Sequence, residues 1–245
     1  MRKTLLPISV GIMCTSFTMI PSSPSRIPHG AAIPVPSAHN LYTHNSSSAA
    51  DIIYTTTNLQ QFGLSREAFD LAWKGYQYLL NNHSVSRGTY LTICDFSQSS
   101  KQKRLYIIDV ENHQLVTHTY VAHGKNSGGE YATRFSNTNE SLQSSLGFYV
   151  TSNTYMGKHG LSLKLQGVDP GFNDKAMQRT IVIHGAAYVD EARLKAGMYM
   201  GRSWGCPAVP QKESAGIIQT IKNGTCLFVY HPTKNYLNNS RILND

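Results

Sequence analysis

Residues 180–210 read TIVIHGAAYVDEARLKAGMYMGRSWGCPAVP. The first residues are apolar and β-branched, the composition of a strand, and that run ends on His184. The stretch closes on Cys206, set between Gly205 and Pro207 with Gly201 just upstream, residues that mark tight turns around a thiol. A thiol is a good nucleophile as its thiolate, and a neighbouring imidazole is the usual means of making one near neutral pH. A strand-end histidine and a turn-borne cysteine therefore predict cysteine-dependent acyl transfer, provided the fold brings them together. Turns of this kind also aim successive backbone amides at one point, which a tetrahedral oxyanion requires.

The sequence around this stretch is rich in strand patterns. TYLTICDF (89–96), RLYIIDV (104–110) and QLVTHTYVAH (114–123) predict an antiparallel meander with a hairpin turn at 111–113. GFYVTSNTY (147–155), LSLKLQGV (161–168) and TCLFVYHP (225–232) supply further strands. Between them, residues 123–147 are rich in Gly, Ser and Asn, a long loop that predicts a substrate-facing wall. One clear amphipathic helix spans 65–82: Ser65 caps it, and Phe69, Ala72, Trp73, Tyr76, Leu79 and Leu80 share one face. A second, shorter helix follows Pro210, with Ile217, Ile218 and Ile221 inward. Strands outnumber helices, so the expected fold is mainly β with short helices (α+β), the N-terminal helix packed on the sheet.

The chain has 245 residues, 40% hydrophobic, with a formal net charge of +8. Its charges are scattered except for KQKR at 101–104, and no basic-aromatic motif accompanies them, which argues against a nucleic-acid partner. Arg2 and Lys3 precede a short, interrupted apolar stretch, so residues 1–25 read as a signal peptide and the protein as exported. Residues 26–60 are rich in Ser, Pro, Ala and Asn and predict a flexible tether. The catalytic domain is then 61–245. Loss of the signal removes Cys14 and leaves Cys94, Cys206 and Cys226. Cys94 and Cys226 sit in strand patterns; a bridge between them and two buried thiols are both compatible with the sequence. The ten histidines show no ligand spacing and no second cysteine neighbours Cys206, so neither a metal nor a cofactor is expected.

IVIHGAAYV (181–189) followed by GRSWGCPAV (201–209) resembles the active-site signature of the YkuD-type L,D-transpeptidases, and is closer still to a divergent branch carrying Gly-Arg-Ser-x-Gly-Cys-Pro. Segments 121–128, 135–147 and 155–179 extend the likeness over roughly residues 61–232. The resemblance implies an L,D-transpeptidase-like β-sandwich or barrel with Cys206 as nucleophile and His184 as base. It also implies that the Gly185 carbonyl orients the imidazole, that the Gly205 and Cys206 amides form an oxyanion hole, and that Ser203 shapes the loop. Arg202 would bind a substrate carboxylate, with Trp204, Tyr188, Ser144, Ser145 and His123 as further substrate contacts. Two positions depart from the family pattern. Trp204 stands where the family has a histidine, whose role would be absent or filled by another residue such as His123 or His159, and Pro207-Ala208 replaces the usual residues after the cysteine.

The implied reaction is attack of the Cys206 thiolate on a peptidoglycan tetrapeptide stem, release of the terminal D-alanine, and transfer of the acyl group. An amine on another stem, a D-amino acid or an envelope protein would give a 3-3 crosslink, an exchange or an attachment; water would make the enzyme a carboxypeptidase or endopeptidase. A non-catalytic binding protein of the bacterial periplasm or cell envelope is the remaining alternative.

Overall fold

The computed structural model describes residues 48–245. Its first helix, α1 (Ala49–Thr56), begins at a capping box in which Ser48 and Asp51 each accept the other's backbone N–H. Helix α2 (Arg66–Asn81) starts at Ser65, whose hydroxyl accepts the Ala68 N–H. The predicted stripe forms its inner face: Phe69, Ala72, Tyr76 and Leu79 are buried, with Trp73 and Leu80 packed at the margin. At Gly75 a Cβ would stand 2.0 Å from the tip of the Phe148 ring. Only glycine lets that ring press against the helix backbone, and on its other side Phe148 stacks on Phe228 with centroids 4.1 Å apart.

The strands are β1 (Tyr90–Asp95), β2 (Leu105–Asp109), β3 (Gln114–Thr119), β4 (Gly147–Gly157), β5 (Gly160–Gly167), β6 (Val182–Ala186), β7 (Ala208–Pro210) and β8 (Cys226–Tyr230). They form one mixed sheet in the order β3-β2-β1-β8-β4-β5-β6-β7. The antiparallel meander holds for β1 to β3, while β1 with β8 and β6 with β7 are parallel pairs. Just beyond β3, Ala122 forms an antiparallel bridge to Ala208 of β7, with N···O distances of 2.8 and 3.3 Å. The two ends of the sheet thus meet and the sheet curls into a near-barrel. The fold is mainly β with short helices, as expected from the patterns.

Besides α1, three short helices escaped sequence reading: α3 (Glu191–Lys195), α5 (Lys234–Asn239) and α6 (Arg241–Asn244); the predicted helix after Pro210 is α4 (Ser214–Ile221). The last two dock through the buried Asp169 carboxylate, which accepts from Tyr236 Oη at 2.7 Å and from Ser240 Oγ at 2.9 Å.

The tether expected over 26–60 needs correction at its end. Residues 49–56 are helical because the capping box starts the helix and Ala50, Ile53 and Tyr54 bury one face; Tyr54 also donates to the Leu64 carbonyl at 2.8 Å. The expected signal peptide and residues 26–47 lie outside the described residues. Cys94 and Cys226 are both free and buried. In the β1/β8 register Cys94 faces Val229 and Cys226 faces Leu91, an offset of about 10 Å along the strands, beyond disulfide reach.

Candidate active site

Strand pairing brings the two key side chains together. His184 stands opposite Ala208 in the parallel β6/β7 register, so Cys206, two residues earlier in the chain, lands beside the strand that carries the histidine. Gly205 adopts φ +125°, and a Cβ there would come within 2.8 Å of the Gln143 carbonyl, so the turn before Cys206 requires glycine. Ser203 spans the turn: its hydroxyl donates to the Cys206 carbonyl at 2.6 Å and accepts the Gly205 N–H at 3.0 Å.

Cys206 and His184 line a cavity of about 420 Å³, shared with His159, Arg179, Tyr188 and Trp204. His184 is 3% exposed. Its Nδ1 lies 2.9 Å from the Gly185 carbonyl, which can only accept; Nδ1 therefore carries the proton and Nε2 keeps its lone pair. His159 stacks on the ring at 4.3 Å between centroids. Burial pulls the imidazole below its ordinary pKa, the Gly185 carbonyl opposes this, and the charge of His159 adds to the lowering. For Cys206, burial pushes the thiol up, against the Val182 amide, the Arg179 charge and its own amide. The two shifts favour a neutral thiol beside a neutral imidazole. The thiol's hydrogen bond runs to the Thr180 carbonyl at 3.8 Å and not to His184. Thr180 itself has φ +56°, a strained conformation for a β-branched residue, of the sort concentrated at working sites.

Arg179 is the residue that sequence reading missed. Its guanidinium donates to the Ser136 carbonyl at 2.7 Å, the Gln143 carbonyl at 2.6 Å, Ser141 Oγ at 3.1 Å and Ser145 Oγ. No carboxylate pairs with it among the described residues. Its charge therefore acts on the thiol and the cavity. Arg179 ties residues 136–145 of the loop together, alongside backbone bonds such as Asn126 N–H to the Leu142 carbonyl and Ser136 N–H to the Ser144 carbonyl, and Asn139, Glu140 and Leu142 form a wall beside Trp204.

Several expected substrate contacts turn out otherwise. Ser144 is buried, accepting the Gly124 N–H at 3.0 Å and donating to the Gly205 carbonyl at 3.2 Å, so it braces the cysteine turn. Ser145 is buried under Arg179 and donates to the Ser136 carbonyl at 2.8 Å. His123 is 1% exposed and sealed behind the cavity, its Nδ1 2.8 Å from Arg104 Nη2. It borders neither the thiol nor the cavity, and cannot stand in for the family histidine; His159 does line the cavity. The Gly205 amide, expected in an oxyanion hole, is already donated to Ser203, which leaves the Cys206 amide. Tyr188, Arg202 and the 71% exposed Trp204 do border the cavity. Arg202 is partly engaged already, donating to the Lys125 and Gly128 carbonyls at 3.1 and 2.8 Å. Among the described residues no group of three or more His, Cys, Asp or Glu is gathered as a metal site would require.

The family YkuD_2, described as L,D-transpeptidase catalytic domain, matches residues 60–230. No curated protein matches the chain. Among solved structures, the L,D-transpeptidase from Mycobacterium smegmatis is 10% identical, with 58% of this chain and 59% of that chain covered and a TM-score of 0.35. The helical cell shape determining protein Pgp2 from Campylobacter jejuni is 14% identical, covering 66% of this chain and 57% of that one, TM-score 0.39. An L,D-transpeptidase from Mycobacterium tuberculosis is 12% identical over 58% of both chains, TM-score 0.32. This chain thus spans less than two thirds of the length of these solved chains. The family match alone covers well over half of the sequence, and the chain belongs to the L,D-transpeptidase catalytic-domain family.

Proposed function

We propose that this protein is an exported acyltransferase that cuts peptidoglycan tetrapeptide stems through a Cys206 thioester and passes the acyl group to an amine. The observation that carries the reading is one cavity holding a thiol, an imidazole with its accepting nitrogen free, and an unpaired guanidinium. In the first step the Cys206 S–H proton moves to His184 Nε2, and Sγ forms a bond to the stem carbonyl carbon. The resulting imidazolium keeps its Nδ1–H on the Gly185 carbonyl, while the Cys206 amide and the Arg179 charge favour the oxyanion. Collapse breaks the C–N bond, and His184 gives its proton to the departing D-alanine amine. The acceptor amine then loses a proton to His184 and attacks the thioester, and the thiol is restored. Because thiol and imidazole both start neutral, substrate must lift Sγ away from the Thr180 carbonyl before proton transfer. Export rests on the basic and apolar composition of residues 1–25.

The test is intact mass spectrometry of the protein with a tetrapeptide stem. The expected product is the stem minus D-alanine attached to Cys206, absent in Cys206→Ala. Dimers or exchanged stems among the released products identify an amine as acceptor, and free tripeptide identifies water. Protein with a titratable Cys206 thiol that yields neither adduct nor altered stems would sink the proposal. Fractionation of producing cells, with N-terminal sequencing, tests export.

A further inference from the structure

Beside the catalytic cavity lies a second hollow of about 580 Å³, and Arg202 stands in the walls of both. Its charged lining is all cationic: Lys125, Arg193 and Arg202 border it, and no Asp or Glu does. None of the three pairs with a carboxylate among the described residues, whose ion pairs join Arg66 to Asp51 and Asp70 and Lys101 to Glu130. Three like charges around one hollow repel one another, a cost that a bound anion offsets. Backbone carbonyls hold the two arginines in place. Arg193 Nε donates to the Tyr199 carbonyl at 3.0 Å, and Arg202 donates through Nη1 alone. The other guanidinium donors make no hydrogen bond to the described residues, which leaves planar forks for a carboxylate.

The rest of the lining selects among anions. Met198, Tyr199 and Met200 give an apolar floor, with Met198 44% exposed. The Arg202 guanidinium lies 5.8 Å from the Tyr199 ring centroid, and the Lys125 ammonium 5.9 Å from that of Trp204 beside the nucleophile. Cations over an apolar floor suit a peptide that carries carboxylates on aliphatic stems. A phosphate polymer would use the charge and gain nothing from the floor. We propose that this hollow is a carboxylate-binding subsite that holds a free carboxylate of the stem peptide while another part of the peptide reaches Cys206. The assignment rests on the acyl-transfer reading given above.

Binding is measured by calorimetry on Cys206→Ala protein, which cannot react. Three probes are compared: a tetrapeptide stem with free carboxylates, the same stem amidated at its carboxylates, and a glycerol-phosphate oligomer. The free stem is expected to bind about tenfold more tightly than the amidated one, more at low salt. Arg193→Gln and Lys125→Gln each remove most of that difference. The second variant is the safer one, since Lys125 is exposed and its ammonium makes no hydrogen bond to the described residues. Equal binding of free and amidated stems, with Cys206 of the unaltered protein still acylated, overturns the subsite and leaves the acyl-transfer reading standing. Absence of both stem binding and acylation overturns the two together. Tighter binding of the phosphate oligomer than of the free stem overturns the carboxylate assignment.

Discussion

His123 and His184 have nearly the same local sequence, Val-Ala-His-Gly and Val-Ile-His-Gly, the first just beyond β3 and the second within β6, and each is almost fully buried. Burial lowers the pKa of both. What separates them is the partner of Nδ1. At His184 it is a carbonyl, which fixes the proton on Nδ1 and turns an accepting Nε2 to the cavity. At His123 it is the Arg104 guanidinium, which can only donate, so Nδ1 must accept and the proton sits on Nε2, a buried atom with no hydrogen-bond partner among the described residues. Burial and the Arg104 charge take His123 down to about 3. One histidine is built to take up a proton and the other to refuse it. A short motif therefore says little about a histidine's chemistry until the atom facing each ring nitrogen is known.

The largest effect that can break this contrast is on turnover. His184→Gln is expected to lower kcat/KM about 10³-fold with little change in unfolding midpoint. His123→Leu should leave turnover per folded molecule within about threefold and cost about 1–2 kcal/mol, because buried Arg104 Nη2 loses one of its two acceptors and keeps the Val121 carbonyl. Steady-state kinetics with urea unfolding on both variants checks this, and similar kinetic losses in the two would end the distinction.

Next is the anchor of the sealed site. Arg104 donates to the Val121 and Gln98 carbonyls and lies 4.8 Å from the Phe96 ring centroid. Arg104→Met strands those carbonyls and should cost about 3 kcal/mol in urea unfolding.

A third measurement is stability against pH. His123 has a folded pKa below its ordinary value of 6.5, so the unfolded chain binds the extra proton and the folded state loses stability as pH falls from about 6.5 toward 3. The expected loss from this group at pH 4, relative to pH 8, is on the order of 3 kcal/mol. His123→Leu should flatten that slope, and an unchanged slope would remove His123 as its source.

The smallest effect tests the working histidine. With His184 held below its ordinary pKa, the acid limb of kcat/KM should fall below pH 6.5. His159→Gln removes the stacked imidazole whose charge lowers the His184 pKa, so the limb should move to higher pH; a shift to lower pH would contradict the role given to His159.

Much of the frame was readable because long elements carry their own period. The α2 stripe is buried as its period marks, and the apolar runs read as strands form β1, β2, β4 and β5, with β1 and β2 buried on both faces. β7 was not readable: Ala-Val-Pro has no period, and the strand exists because β6 and Ala122 flank it. The short helices were missed for a related reason, since α1 is set by a capping box inside a Ser-rich run, and α5 and α6 by one buried carboxylate. At the site, Cys206 and His184 announce themselves by residue type and turn chemistry. Arg179 does not, because a lone arginine in a turn-rich segment looks solvated until the loop carbonyls that bind it are placed. Ser144 and Ser145 could equally brace a loop or touch a substrate, and only their partners decide.

The seam between Ala122 and Ala208 has a kinetic consequence. The floor under Cys206 is complete only when two segments far apart in sequence have met, and the entropy of closing that long loop must be overcome first. Collapse of the core around α2 can precede this step. Competence of Cys206 to be acylated by a stem peptide is thus expected only after the seam has closed, and its recovery during refolding, timed against the packing of the partly buried Trp73, would date the moment the barrel closes.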